Sequence, residues 1–178
     1  MTLPNTATSD FEVLWNRAIP YEQFISQAKE NRALWEGVYQ TAKIPPWALE
    51  RACEHGKPVR LLVIAEDWCG DASSTVPVLA RLGDLAGCLE MRMIPRDENP
   101  VLMDRYLTNG SRSIPIVIAL DANFGELGHW GPRPPEIQAW VMEHMATVPS
   151  DERYKYVRRW YAKDQGKSTL RAVLALLP

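Results

Sequence analysis

The sequence predicts an α/β sandwich, a mixed four-stranded sheet flanked by helices, with further helices added at both ends. Three observations predict it. VRLLVIAE, from Val59 to Glu66, is a continuous apolar, β-branched run bounded by Pro58 and acidic residues, the pattern of a strand buried on both faces. CLEMRMI at 88–94 is a second such run, separated from the first by a helical stretch over about 71–84. Together they form a βαβ unit, which places the two strands parallel with a right-handed crossover. IPIVIAL at 114–120 and FGELGHW at 124–130 are joined by the turn Asp121-Ala122-Asn123, close enough for an antiparallel hairpin.

The other elements follow in order. Residues 1–9 read as a loose arm. Ser9 with Glu12 three positions on reads as a capping box that opens a short helix with Phe11, Leu14 and Trp15 on its apolar stripe. One helix is expected over about 20–41: Tyr21, Phe24, Ile25 and Ala28 share a face that Leu34, Trp35, Val38 and Tyr39 continue. Pro45-Pro46 ends it, and a short helix over 47–54 precedes Gly56. DENPVLMDRYLTNG reads as a helix stopped at Asn109-Gly110. A helix over 134–146 turns Ile137, Trp140, Val141 and Met145 inward, and the tail from 151 is helical with a break near Gly166. The chain divides into an N-terminal helical extension (1–45), a central α/β domain (46–147) and a C-terminal helical extension (148–178).

Composition limits the function classes. The 178 residues carry 20 basic and 22 acidic side chains, net −2, which excludes a generally basic nucleic-acid binder. The tail 151–178 is the exception: seven basic and three acidic residues give it +4, read first as a solvated helical face, with an anionic partner as the minority reading. Its Tyr154, Tyr156, Trp160 and Tyr161 fall at helical spacing and are expected to pack on the body. The chain shows no signal peptide and no run of 18 apolar residues, so a soluble, cytoplasmic protein without membrane partners is expected. Nucleotide-binding glycine motifs are missing, and no His/Cys spacing suits a metal, so neither cofactor nor metal is expected.

Chemistry centres on Cys69. Trp68-Cys69-Gly70-Asp71-Ala72 stands where the first buried strand ends and a helix begins. Sites of open α/β sheets gather at that end, and a helix N-terminus favours a thiolate, the reactive form of cysteine. EDWCGDA, with Pro77 eight residues beyond Cys69, resembles the active-site segment of the thioredoxin family, and Ser111-Arg112-Ser113-Ile114-Pro115 resembles its cis-proline loop. The resemblance covers about 46–147, and YLTNGSRSIP and WGPRP are similar to a bacterial thioredoxin-like branch with added terminal helices. It implies a three-layer thioredoxin-like sandwich, with Cys69 as the attacking cysteine and Ile114-Pro115 as the cis bond beside it. It also implies that Gly131 lies in the loop that approaches the cysteine and that Trp68 and Gly70 flank it.

The departures from that pattern are informative. Ala72 stands at the second cysteine position, Asp71 at the middle proline, and Val63 where a buried acid is common. A dithiol reductase cannot resolve its own mixed disulfide with this motif. Cys88 starts the second parallel strand, roughly 20 Å from Cys69, and Cys53 ends a helix feeding the first, at the same far end, so neither is within the ~7 Å a disulfide with Cys69 allows. The odd, low cysteine count argues against a disulfide framework, and both read as small buried hydrophobes. Asp71, about 7 Å from the sulfur, opposes ionisation by roughly 2–3 kcal/mol at an effective dielectric of about 20, against about 0.3–2 from the helix terminus. Glu66 and Asp67 oppose it further. A cation would tip the balance, and Arg112 and Arg133 are the candidates. Of the histidines, His129 is the candidate proton carrier near Cys69, with an ordinary strand-end residue as the alternative.

Two functions compete. One is monothiol thiol–disulfide exchange at Cys69 with a protein or a low-molecular-weight thiol, resolved by an external thiol. The other is a non-catalytic module that binds an extended peptide, or a small anionic thiol through Arg112 and Arg133. A third reading, an iron–sulfur cluster bridged with an external thiol, shares with this sequence only the single cysteine.

Overall fold

The computed structural model describes residues 10–178, so the Ser9 cap lies outside the described residues. The sheet has five strands: β1 (Ile19–Pro20), β2 (Val59–Ala65), β3 (Leu89–Pro95), β4 (Ile116–Leu120) and β5 (Glu126–Trp130). Their spatial order is β1-β3-β2-β4-β5. β2 and β3 are parallel, Val59 beside Leu89 and Ala65 beside Pro95, while β4 and β5 are antiparallel to their neighbours. Continuous apolar sequence produces the centre: every residue of β4, and every residue of β2 but Arg60, is buried. The edge strand β1 corrects the four-stranded expectation. Two residues, one of them proline, carry no strand pattern, and only pairing with Met93 and Arg92 makes them one.

Helices flank this sheet. α1 (Asp10–Arg17) buries Phe11, Leu14 and Trp15, and the guanidiniums of Arg60 and Arg92 lie over the Trp15 ring. The single helix expected over 20–41 is two, α2 (Tyr21–Gln27) and α3 (Arg32–Thr41). The break has a tertiary cause: Asp67 accepts the backbone N–H groups of Lys29 and Glu30, and Asn31 turns left-handed at φ 53°. α4 (Pro46–Cys53) feeds β2, and α5 (Gly70–Ala86) is the crossover to β3, packed against α3 and α4. The helix expected after residue 97 shrinks to α6 (Pro100–Met103) and a 3-10 turn (Asp104–Tyr106), and Asn109-Gly110 closes a tight Thr108–Ser111 bridge instead. α7 (Pro135–His144) buries Ile137 and Val141 but leaves Met145, just past its end, exposed, contrary to the inward placement expected for it. α8 (Ser150–Asp164) and α9 (Lys167–Leu174) meet at Gly166, where an added Cβ would lie 2.7 Å from Val78.

Cys53 and Cys88 are not free buried hydrophobes. They form a disulfide with Cα atoms 5.7 Å apart, tying the end of α4 to the residue before β3. Among the described residues, no helix is long and apolar enough to cross a membrane.

Candidate functional site

The site forms where β2 ends. Cys69 caps α5: its sulfur accepts the Ala72 N–H at 3.4 Å, and its thiol donates to the Ile114 carbonyl at 3.5 Å. The cis Ile114-Pro115 bond thus lies against the sulfur. Gly131 approaches the same loop so closely that a Cβ on it would sit 2.0 Å from the Pro115 carbonyl oxygen, and its φ of 136° suits glycine. Gly70 has open space around it, and its carbonyl accepts the Ser73 and Ser74 hydroxyls. Above the sulfur is a cleft of about 450 Å³, lined among others by Trp68, Asp71, Arg96, Arg112, Ile114 and Arg133.

Electrostatics at the sulfur differ from the expectation. Arg112 reaches the cleft but pairs bidentately with Asp104 at 2.7 and 2.9 Å, and Arg96 pairs with Asp97 while lying over the Trp68 ring. Arg133 instead grips Asp71, and the Tyr161 hydroxyl donates to the same carboxylate at 2.9 Å. Burial opposes the charge of Arg133, yet Asp71 beside it holds its guanidinium above its ordinary pKa. Burial pushes the Cys69 thiol up to about 11; the Ala72 N–H pulls it down, Asp71 pushes it up, and Arg133 pulls it down again. Desolvation therefore decides the state of the sulfur, and at neutral pH it is a thiol. Burial likewise raises the Tyr161 hydroxyl, so it stands as a donor to Asp71.

The sequence-derived residues Trp68, Cys69, Gly70, Asp71, Ile114, Pro115, Gly131 and Arg133 come together here. Glu66 instead accepts the Asp97 N–H, and His129 contacts Glu126 and Tyr106 on β5, outside the cleft. Val63 is fully buried between Met93 and Val117. Two groups escaped the sequence reading. From the C-terminal extension come Tyr161 and the exposed Tyr154, which also lines the cleft; their spacing of seven, two helical turns, was the available signal. From the N-terminal extension come Asn31, which donates to the Asp67 and Trp68 carbonyls, and the buried Trp35, whose indole donates to the Asp67 carbonyl. Both extensions therefore hold the cysteine loop in place.

Comparison with known proteins follows the same line. A family model described as thioredoxin matches residues 18–155, well over half of the chain. No curated protein matches. Among solved structures, a protein of unknown function from Pseudomonas aeruginosa is 21% identical, with a TM-score of 0.73 over 92% of this chain and 94% of that one. An HIV epitope-scaffold is 19% identical, with a TM-score of 0.74 over 95% and 98% of the two chains. At these identities the two structures establish the fold alone, a thioredoxin-like one.

Proposed function

The chain belongs to the thioredoxin family, and from that premise we propose that it carries out monothiol thiol–disulfide exchange at Cys69. One observation carries this reading: a lone free thiol caps a helix beneath an open cleft, against a cis-proline loop, while the other two cysteines are bonded to each other. In the reaction, Cys69 loses its proton to solvent and its thiolate attacks one sulfur of R–S–S–R. The R–S–S–R bond breaks, Cys69–S–S–R forms and R–S⁻ leaves. A second external thiolate then attacks the R sulfur, releasing R–S–S–R′ and restoring Cys69. The partner is a protein or a low-molecular-weight disulfide. A thiol with a pKa near 11 is rarely ionised at neutral pH and leaves poorly, which favours a slow, long-lived adduct over rapid turnover. The Cys53–Cys88 bridge favours an oxidising compartment over the cytoplasmic one that the cysteine count suggested.

The same burial of the sulfur favours a second reading, in which the cleft holds an extended peptide or a small anionic thiol and no exchange occurs. Arg96, Arg112 and Arg133, each already paired with a carboxylate, offer such an anion little free charge. Intact-mass measurement of the full chain with oxidised glutathione at pH 9 separates the two readings. The exchange reading expects one adduct that is absent in Cys69→Ser and removed by added reduced glutathione. No adduct at pH 9 overturns it.

A further inference from the structure

A second cavity, of about 630 Å³, lies on a different part of the molecule, between α3, α5 and α8. Leu34 and Val38 of α3, Val78 of α5 and Ala162 of α8 give it apolar walls. Its volume falls within the ~300–1,000 Å³ typical of small-molecule sites, which combine apolar walls with a few polar groups. The polar groups here are cationic. Lys43, in the loop after α3, and Arg158, on α8, both line it, both are exposed, and neither has an ion pair or side-chain hydrogen bond among the described residues. Other cations of the surface, Arg32, Arg51, Arg92, Arg96, Arg105 and Arg112 among them, are held by acidic partners, whereas these two face the cavity unpaired. No Asp or Glu lines the cavity. Arg158 belongs to the basic tail, whose tyrosines serve the Cys69 site but whose positive charge the exchange reading does not use.

We propose that this cavity binds a small amphipathic carboxylate, its apolar chain between α3, α5 and α8 and its charged end between Lys43 and Arg158. Charge selects the occupant. An apolar cation of the same length would meet two unpaired cations, and a neutral alcohol would gain no charge attraction from either. The site is independent of exchange at Cys69, although the two share Tyr161, which lines this cavity and bonds Asp71 beside the sulfur.

Isothermal titration of the full chain with decanoate, decanol and decylamine, below their aggregation concentrations, tests this. Expected is saturable binding of one decanoate per chain, about tenfold or more tighter than decanol and tighter still than decylamine. Exposed charge contacts contribute up to about fivefold each, so the double variant Lys43→Glu/Arg158→Glu should weaken decanoate at least tenfold. Ala162→Trp, at an exposed position in the wall, should weaken decanoate at least tenfold by placing an indole in the cavity. Circular dichroism confirms that each variant is folded, and intact-mass labelling of Cys69 reads the other site separately. No saturable binding, equal binding of all three probes, or decanoate binding unchanged in Ala162→Trp each overturns the proposal.

Discussion

Arg133 holds Asp71 through two bonds, Nε to Oδ1 at 2.9 Å and Nη2 to Oδ2 at 2.6 Å, two residues beyond the helix cap formed by Cys69. The pair is mostly withdrawn from water, with side-chain exposures of 22% and 9%. Breaking such a pair leaves a charge buried without its partner. Arg133→Met should therefore cost about 3–5 kcal/mol in urea unfolding. It also removes the cation that pulls the Cys69 thiol down, so alkylation of Cys69 at a fixed alkaline pH should slow. The double variant Asp71→Leu/Arg133→Met removes both charges and should recover most of the stability. Unchanged stability in the single variant would show that the pair has no energetic role.

Tyr161→Phe is a milder change at the same carboxylate. It removes one donor and leaves the ring packed among Ile137, Val141 and Val157. A hydrogen bond to a charged group contributes about 1.5–3 kcal/mol, and a loss in that range is expected in chemical denaturation.

Gly131→Ala should be far more damaging than its single methyl suggests. Its Cβ would lie 2.0 Å from a backbone oxygen of the loop behind Cys69, at a φ of 136° that L side chains rarely adopt. Destabilisation of about 3 kcal/mol or more is expected, with Gly70→Ala, which meets open space, as the control. Comparable melting temperatures for the two variants would contradict this.

The pH dependence at Cys69 has a definite sign. With the folded thiol near 11, about one molecule in 10⁴ carries a thiolate at pH 7, so alkylation should accelerate roughly tenfold per pH unit through pH 7–10. The same shift acts on stability. The folded pKa is raised above its ordinary 9.0, so this contribution is complete below pH 9 and is lost as pH rises towards 11. Two units correspond to about 2–3 kcal/mol, which Cys69→Ala should remove from the alkaline unfolding profile. A rate plateau below pH 9 would show a far more acidic thiol.

The central strands and Cys69 were legible because each signal is local: a doubly buried strand must be continuously apolar, and the turn after it must carry the cap. The break between α2 and α3 was not, because Asp67, 36 residues after Asn31, takes the backbone donors there. Nor was the role of Asp71. Taken alone it repels a thiolate, but Arg133 and Tyr161, 62 and 90 residues away, already engage it. The Cys53–Cys88 bond was within reach of the sequence. Both residues read as lying at the same end of the sheet, far from Cys69, and a sheet end that excludes each from Cys69 brings the two together.

That bond supports the last prediction. It joins the end of α4 to the entry of β3 across a sequence separation of 35. Closing such a loop restricts the unfolded chain, and the loop-entropy relation gives about 4 kcal/mol, at the upper end of the usual 2–4. Cys53→Ala/Cys88→Ala, or reduction of the wild-type chain, should lower the unfolding free energy by about 2–4 kcal/mol. Cys69 is six strand positions away along β2, held by Ala72 and Ile114 rather than by this end of the sheet. Its rate of adduct formation in the folded state should therefore be the same with the bond present or absent. Loss of reactivity together with stability would mean that the two ends of the sheet act as one unit.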